Sequence, residues 1–388
     1  MITTINNKHK KLNVPNLRFK EFQGEWEEST LEDVMKFSTT HVSSSELNED
    51  NYVSTENMLQ DYQGIVDAKS VPEDVNVISF SCGDILISNI RPYLKKVWKA
   101  TYNGGCSSDV FVLKANDNIE SDYLHYVIAN DKFINFVMSG AKGVKMPRGD
   151  KKQMKTYCLS LPQIQEQKKI ATLLRLIDER ISTQSKIIED LKKLKSAIIE
   201  KLYSEIQGKE YSYRQLFEII NERNNRLEFS NVLSASQERG MVSREDLNLD
   251  IKFERSNINT YKIVRNGDYV IHLRSFQGGF AFSDIVGVCS PAYTIMRPKD
   301  LLEYGYLSYY FTSRQFIKSL VIVTYGIRDG RSINVDEWFD MKIVIPTKEQ
   351  QRHIVRTIKV FENKIENEEM YASCLLKQKQ HLLRQMFI

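Results

Sequence analysis

The chain has 388 residues, 41% of them apolar, with 54 Lys and Arg against 50 Asp and Glu, which is material for two or three domains with buried cores. A formal net charge of +4 permits contact with a polyanion without demanding it. A mean hydropathy of −0.40, no apolar run near 18 residues and a polar stretch from Met1 to Asn13 predict no membrane span, no secretion signal and a cytoplasmic location.

From Val14 to Ser160, short β-branched and aromatic runs alternate with turn signals such as Gly64 and Gly104-Gly105 and a helical patch from Tyr123 to Val137. This pattern predicts a compact α+β domain over 14–160. In it, GDILISNIRPYLKK places Asn89, Arg91, Lys95 and Lys96 just past a buried strand that Gly83-Asp84 enters as a turn. The later loop GAKGVKMPRGDKK, from Gly140 to Lys152, carries Lys142, Lys145, Arg148, Lys151 and Lys152 among glycines. Basic side chains and open backbone amides suit phosphates, whereas Arg clasps guanine and Asn or Gln clasps adenine by paired hydrogen bonds in the major groove. Asn89 and Arg91 are therefore candidates for base reading, and Lys95, Lys96, Lys142, Lys145, Arg148, Lys151 and Lys152 candidates for the backbone. An ordinary solvated loop would have the same composition.

At Pro162 the character changes. From there about 40 residues run without proline or glycine until Gly208, which predicts one long helix over 161–207. With Ile170 as heptad position a, the a series is Ile170, Ile177, Gln184, Leu191 and Ile198, and the d series Leu174, Ile181, Ile188, Lys195 and Leu202. Eight of the ten are apolar, a knobs-into-holes seam interrupted at two fixed places. Packing of each stripe on its own globule remains the alternative.

The remainder repeats the first half. LPQIQEQKKI from Leu161 returns as IPTKEQQRHI from Ile345, GDILIS from Gly83 as GDYVIH from Gly267, both at an offset of 184 residues. A second α+β domain is expected over 208–344, with a helical patch from Tyr306 to Leu320 and a second long helix over 345–388. Its seam repeats as Ile354, Phe361, Glu368, Leu375 and Leu382 with Ile358, Ile365, Ala372, Lys379 and Met386, polar at the same two heptad places. The segment GDYVIHLRSFQGG offers Arg274, Ser275 and Gln277 for base reading, and YGIRDGRSIN offers Arg328 and Arg331 for the backbone. The loops differ between copies while the frame persists, which suits two domains reading different sequences.

Each helix would span roughly 60 Å at about 1.5 Å per residue. The predicted architecture is two similar globular domains joined by a long antiparallel two-helix coiled coil, with pseudo-twofold symmetry from the tandem repeat. Leu173, Ile187, Leu194 and Ile199 lie outside the seam and are candidates for docking a partner.

No phosphate loop, GxGxxG, nucleophile elbow or amino-methyltransferase tetrad is present. Glu362-Asn363-Lys364 has the form of part of a nuclease site but sits on the predicted helix, where a solvated pair is expected. The five cysteines (Cys82, Cys106, Cys158, Cys289, Cys374) form no CxxC pair and the six histidines no HExxH. Buried free thiols are expected rather than zinc or disulfides, and no metal or cofactor on this chain.

The opening VPNLRFKEFQGEWEESTLEDV, with Leu17-Arg18-Phe19, Phe22, Gly24 and Trp26, and the two helix starts at Leu161 and Ile345 resemble those of a type I restriction-modification specificity subunit. The second globule departs in having Tyr211 or Tyr213 near the place of the tryptophan. The resemblance implies two target recognition domains, each reading one half of a split sequence in double-stranded DNA, and helices that set the gap between halves. It implies no catalysis by this chain. Two methylation subunits that use S-adenosylmethionine would dock on the helices, and restriction subunits using ATP and Mg2+ would join the larger assembly. Two other readings share parts of the pattern: the specificity chain of a fused cleavage-methylation system, and a scaffold whose globules bind proteins rather than DNA.

Overall fold

The computed structural model describes residues 13–236, 239–247, 255–272, 279–325 and 332–388. The chain forms two compact units. One runs up to Gln184 and takes in Tyr371–Ile388, and the other is Ser185–Met370.

In the first unit, Gly83, with φ of +93°, makes the turn before the fully buried strand Ile85–Ser88. That strand lies inside a four-stranded antiparallel sheet in the order Met35–Phe37, Val110–Ala115, Ile85–Ser88, Val97–Lys99. A second four-stranded sheet holds His41–Ser43, Asn76–Phe80, Gly104–Cys106 and Tyr52–Val53. The predicted helical patch is two helices, Ser121–Ile128 and Asp131–Ser139, because Asn130 caps the second by accepting from the Lys132 amide at 3.0 Å. Asp84 closes the Gly-Asp turn by accepting from the Ser81 amide and pairing with Lys114 at 2.9 Å.

The second unit repeats these devices. Gly267 has φ of +93°, Asp268 accepts from the Arg265 amide at 2.9 Å, and Arg297 binds the buried Asp268 with two hydrogen bonds of 2.8 and 2.9 Å. The four-stranded sheet runs Phe217–Ile220, Thr294–Pro298, Tyr269–Ile271, Phe280–Phe282. Tyr306–Tyr310 and Arg314–Ser319 replace the single predicted patch.

The long helices are Ile164–Ser204 and Lys348–Met386, each contributing residues to both units. Every seam position named from the heptads is buried or half-buried. In the first unit Ile170, Leu174 and Ile177 share a core with Leu382 and Met386, and Lys379 pairs with Asp178 at 2.6 Å. In the second, Lys192 pairs with Glu369 at 2.7 Å and Lys195 with Glu362 at 3.4 Å, so numbering rises along one helix as it falls along the other. Within each unit the seam also buries against the globule: Ile170 and Leu174 sit with Tyr123 and Leu159, Ile354 and Ile358 with Trp338 and Phe339. Within each unit the stripe thus meets its globule as well as residues of the other long helix.

Three expectations need correction. Cys82, Cys158 and Cys374 are exposed, and only Cys106 and Cys289 are buried thiols, pushed up to about 12 by burial. Ile199 is buried in the second unit's core and is closed to a partner, because the a/d stripe widens where the helix meets the globule. Glu362 is no freely solvated pair with Lys364, since it accepts from the Tyr309 hydroxyl at 2.7 Å and meets Lys195.

Candidate nucleic-acid interface

The opening string and the two helix starts turn out to be joints between helix and globule. The Arg18 guanidinium, of the Leu17-Arg18-Phe19 opening, holds both oxygens of the buried Glu166 carboxylate at 2.8 Å. Gln167 donates to the Pro162 carbonyl at 2.9 Å and the Asn118 carbonyl at 3.4 Å while accepting from the Glu120 amide at 2.8 Å. Gln351 does the same in the second unit, donating to Pro346 and Leu301 and accepting from Glu303. The sequence offered these strings only for the repeat and the resemblance they carry and gave Arg18, Gln167 and Gln351 no structural role, although Pro162 with Gln167 and Pro346 with Gln351 share one spacing that could have marked them.

In the first unit the two basic segments meet. The Arg91 amide donates to the Pro147 carbonyl at 2.8 Å and the Gly149 amide to Asn89 at 3.0 Å. Lys142 and Arg148 close the loop between them through reciprocal backbone bonds of 3.0 and 2.9 Å, which leaves Val144 fully exposed and Lys145 exposed beside it. A third segment, from Leu59 to Gly64, joins them: the Asp61 amide donates to the Leu94 carbonyl at 3.1 Å and the Tyr62 amide to Lys95 at 3.0 Å. Nothing in its composition singled it out.

This assembly sorts the candidates. Arg91 is exposed, holds a left-handed backbone at φ of +50° and makes no ion pair among the described residues, and Lys145 and Lys152 are exposed and equally unpaired there. Lys142 meets Asp150 at 3.2 Å and Arg148 meets Asp109 at 2.7 Å, both still reachable from solvent. Lys95 reaches Asp131 at 2.9 Å. Lys96 turns inward to the Thr55 carbonyl at 2.6 Å, and burial, with Arg91 nearby, pushes its pKa down, so it is withdrawn from phosphate. Lys151 lies over the rings of Phe111 and Phe37, at 4.6 and 5.1 Å, and is likewise engaged. The Asn89 Oδ1 is buried without a hydrogen-bond partner, so its amide cannot offer both groups to an adenine edge unless the side chain rotates. Arg274, Ser275, Gln277, Arg328 and Arg331 lie outside the described residues.

Among the described residues no group of acidic, His and Cys side chains could hold a metal, and no helix is long and apolar enough to cross a membrane. The family model for the type I restriction modification DNA specificity domain matches residues 23–193. Residues 23–193 thus match a type I restriction modification DNA specificity domain. The match spans the first copy and the start of its helix, and the repeated turns and glutamine joints tie the second half of the chain to the first.

Two relatives in Methanocaldococcus jannaschii are similar over most of their length. The putative type I restriction enzyme MjaX specificity subunit is 25% identical over 323 residues, 76% of this chain and 75% of the relative. The MjaVIII specificity subunit is 24% identical over 295 residues, 68% of each. The fold is like that of a chain solved in a study of complex assembly in the type I R-M system, with a TM-score of 0.60 and 16% identity over 92% of this chain and 96% of that one. It is also like the M. genitalium S subunit, with a TM-score of 0.57 and 14% identity over 97% and 99%.

Proposed function

We propose that this DNA specificity subunit reads a split sequence, with the 14–160 domain contacting one half-site, the 208–344 domain the other, and the paired helices setting the gap. It acts as a recognition subunit without catalysis of its own. The observation that carries the reading is the duplication: the same turn, strand and glutamine joint recur 184 residues apart, while the basic loops beside them differ. One frame presenting two loop sets is what two different half-sites require, and joining them in one molecule makes the second contact intramolecular, so each half can bind weakly.

The helices would act as a ruler. Seven residues added to each helix at matched heptad positions keep the seam in register and lengthen it by about 10 Å, the rise of roughly three base pairs. The expected result is a recognised gap longer by about that number, with both half-sites unchanged, seen by sequencing methylated DNA from cells that carry the variant and its methylation partner. An unchanged gap with full activity would refute the ruler.

Apolar residues left exposed on the helices recur at the repeat spacing, Leu176 with Val360 and Ile187 with Tyr371. This supports two equivalent docking faces for two methylation subunits. Those subunits would bring S-adenosylmethionine and flip the target adenine, and restriction subunits would bring ATP and Mg2+, all in the cytoplasm where the DNA lies.

The whole reading is tested by competition binding in the presence of the methylation subunit. Arg91→Ala is expected to cost about 1–3 kcal/mol and to relax one base pair of one half-site. Lys145→Ala should weaken all sequences alike and lower the salt slope by about one. Equal binding of shuffled half-sites by the unaltered protein would overturn the proposal.

A further inference from the structure

Six non-glycine residues among those described have a left-handed backbone, and four of them, Asp61, Tyr62, Arg91 and Lys95, lie in two adjoining loops. Such conformations are strained for most side chains and persist where the surroundings hold them, often at ligand-contacting sites. Here the holding is visible: the Asp61 and Tyr62 amides bond to the carbonyls of Leu94 and Lys95, and the Tyr62 hydroxyl donates to Asp131 at 3.2 Å. Lys95 pairs with the same carboxylate. The turn from Leu59 to Gly64 is therefore fixed against the loop that carries Arg91. It leaves Gln60, Asp61 and Gln63 exposed.

Asp61 is out of place on such a face. Its turn is bonded to the loop that carries Arg91 and Lys95, which is bonded in turn to the loop of Lys142 and Lys145, yet Asp61 makes no ion pair among the described residues, and Lys95 pairs with Asp131 instead. Toward a phosphate the carboxylate repels. Toward a base edge it has one suitable partner in the major groove, an exocyclic amine that donates, as the N4 amine of cytosine does.

We infer that the Leu59–Gly64 turn is a third reading segment of the first domain, in which the Asp61 carboxylate accepts a hydrogen bond from a cytosine amine and specifies one G·C pair. The inference rests on the proposed reading of split DNA. Arg91, on the adjoining loop, then reads a neighbouring pair, and the strained backbone keeps the two side chains at a set spacing.

The test uses the full chain together with its methylation subunits in cells, with methylated positions mapped across the genome. Asp61→Gly removes the carboxylate at a position where glycine adopts the left-handed backbone freely, and Asp61→Asn keeps that backbone while adding a donor. With Asp61→Gly, one G·C position of one half-site is expected to admit other pairs, its preference falling about tenfold or more, while the other half-site and the gap stay as they were. With Asp61→Asn, the preference at that position should move from cytosine toward adenine. A methylated motif identical to that of the unaltered protein in both variants overturns the inference, and so does a uniform loss of methylation with no change of motif. Should the unaltered protein direct no bipartite motif at all, the proposed function itself fails, a result separate from either outcome.

Discussion

Replacing Arg18 by alanine is expected to destabilise the first unit by about 3–5 kcal/mol, because it strands a buried carboxylate. The Glu166 side chain is 1% exposed and both its oxygens are taken by one guanidinium that is itself 16% exposed. Arg18 further donates to the carbonyls of Gly24 and Gln23, at 2.5 and 3.2 Å, so the same side chain ties the opening segment to the start of the first long helix. Arg18→Lys should recover only part of the loss, since an ammonium cannot grip both oxygens in a fork. Replacing both partners by apolar residues of similar size should cost less than Arg18→Ala alone. Hydrogen exchange of the helix amides between Gln167 and Gln184 measures this directly. Protection unchanged in Arg18→Ala would show that the pair contributes nothing to holding the helix on its domain.

The second large effect is expected at Trp338. Its ring is fully buried, stacked on Tyr213 at 4.1 Å between centroids and 15° between planes, and packed against Phe280 at 5.0 Å and Phe339 at 5.1 Å. Truncation to alanine should cost the second unit about 3–5 kcal/mol through the cavity it opens. Trp338→Phe should cost much less, because the indole Nε1 is buried with no hydrogen-bond partner and its removal leaves nothing unsatisfied. A denaturant titration that follows the second unit distinguishes the two, and equal losses in both variants would contradict this account. In the first unit the equivalent place is held by Met154, 1% exposed. The two cores are therefore filled differently on one frame.

Much of the architecture was legible in the chain itself. The 184-residue offset, the proline starts of both helices and the heptads are local or periodic signals, and the long helices they predict form as Ile164–Ser204 and Lys348–Met386. The Gly-Asp turns were legible for the same reason, since a left-handed glycine and an Asp that bonds back to the residue three before it act within one short segment. The single helical patches were not resolved into pairs, because the cap at Asn130 and its counterpart Ser313 interrupt the backbone without interrupting the apolar pattern.

The site was legible by composition and not by geometry. Sequence named nine residues of the first domain's basic face, two for bases and seven for the backbone, but Lys96 and Lys151 are drawn inward to a carbonyl and to aromatic rings, and half of the Asn89 amide is buried. Which charge remains free depends on partners such as Thr55, Phe111, Asp109 and Asp131 that lie tens of residues away. By itself, then, the sequence determined the duplication and the two long helices, since periodicity and turn chemistry are written residue by residue. Only the tertiary structure decided that three separate loops share one face, which of their charges are left to meet a ligand, and that Arg18 and Gln167 serve as joints. Those outcomes depend on pairings across the fold, which no local pattern encodes.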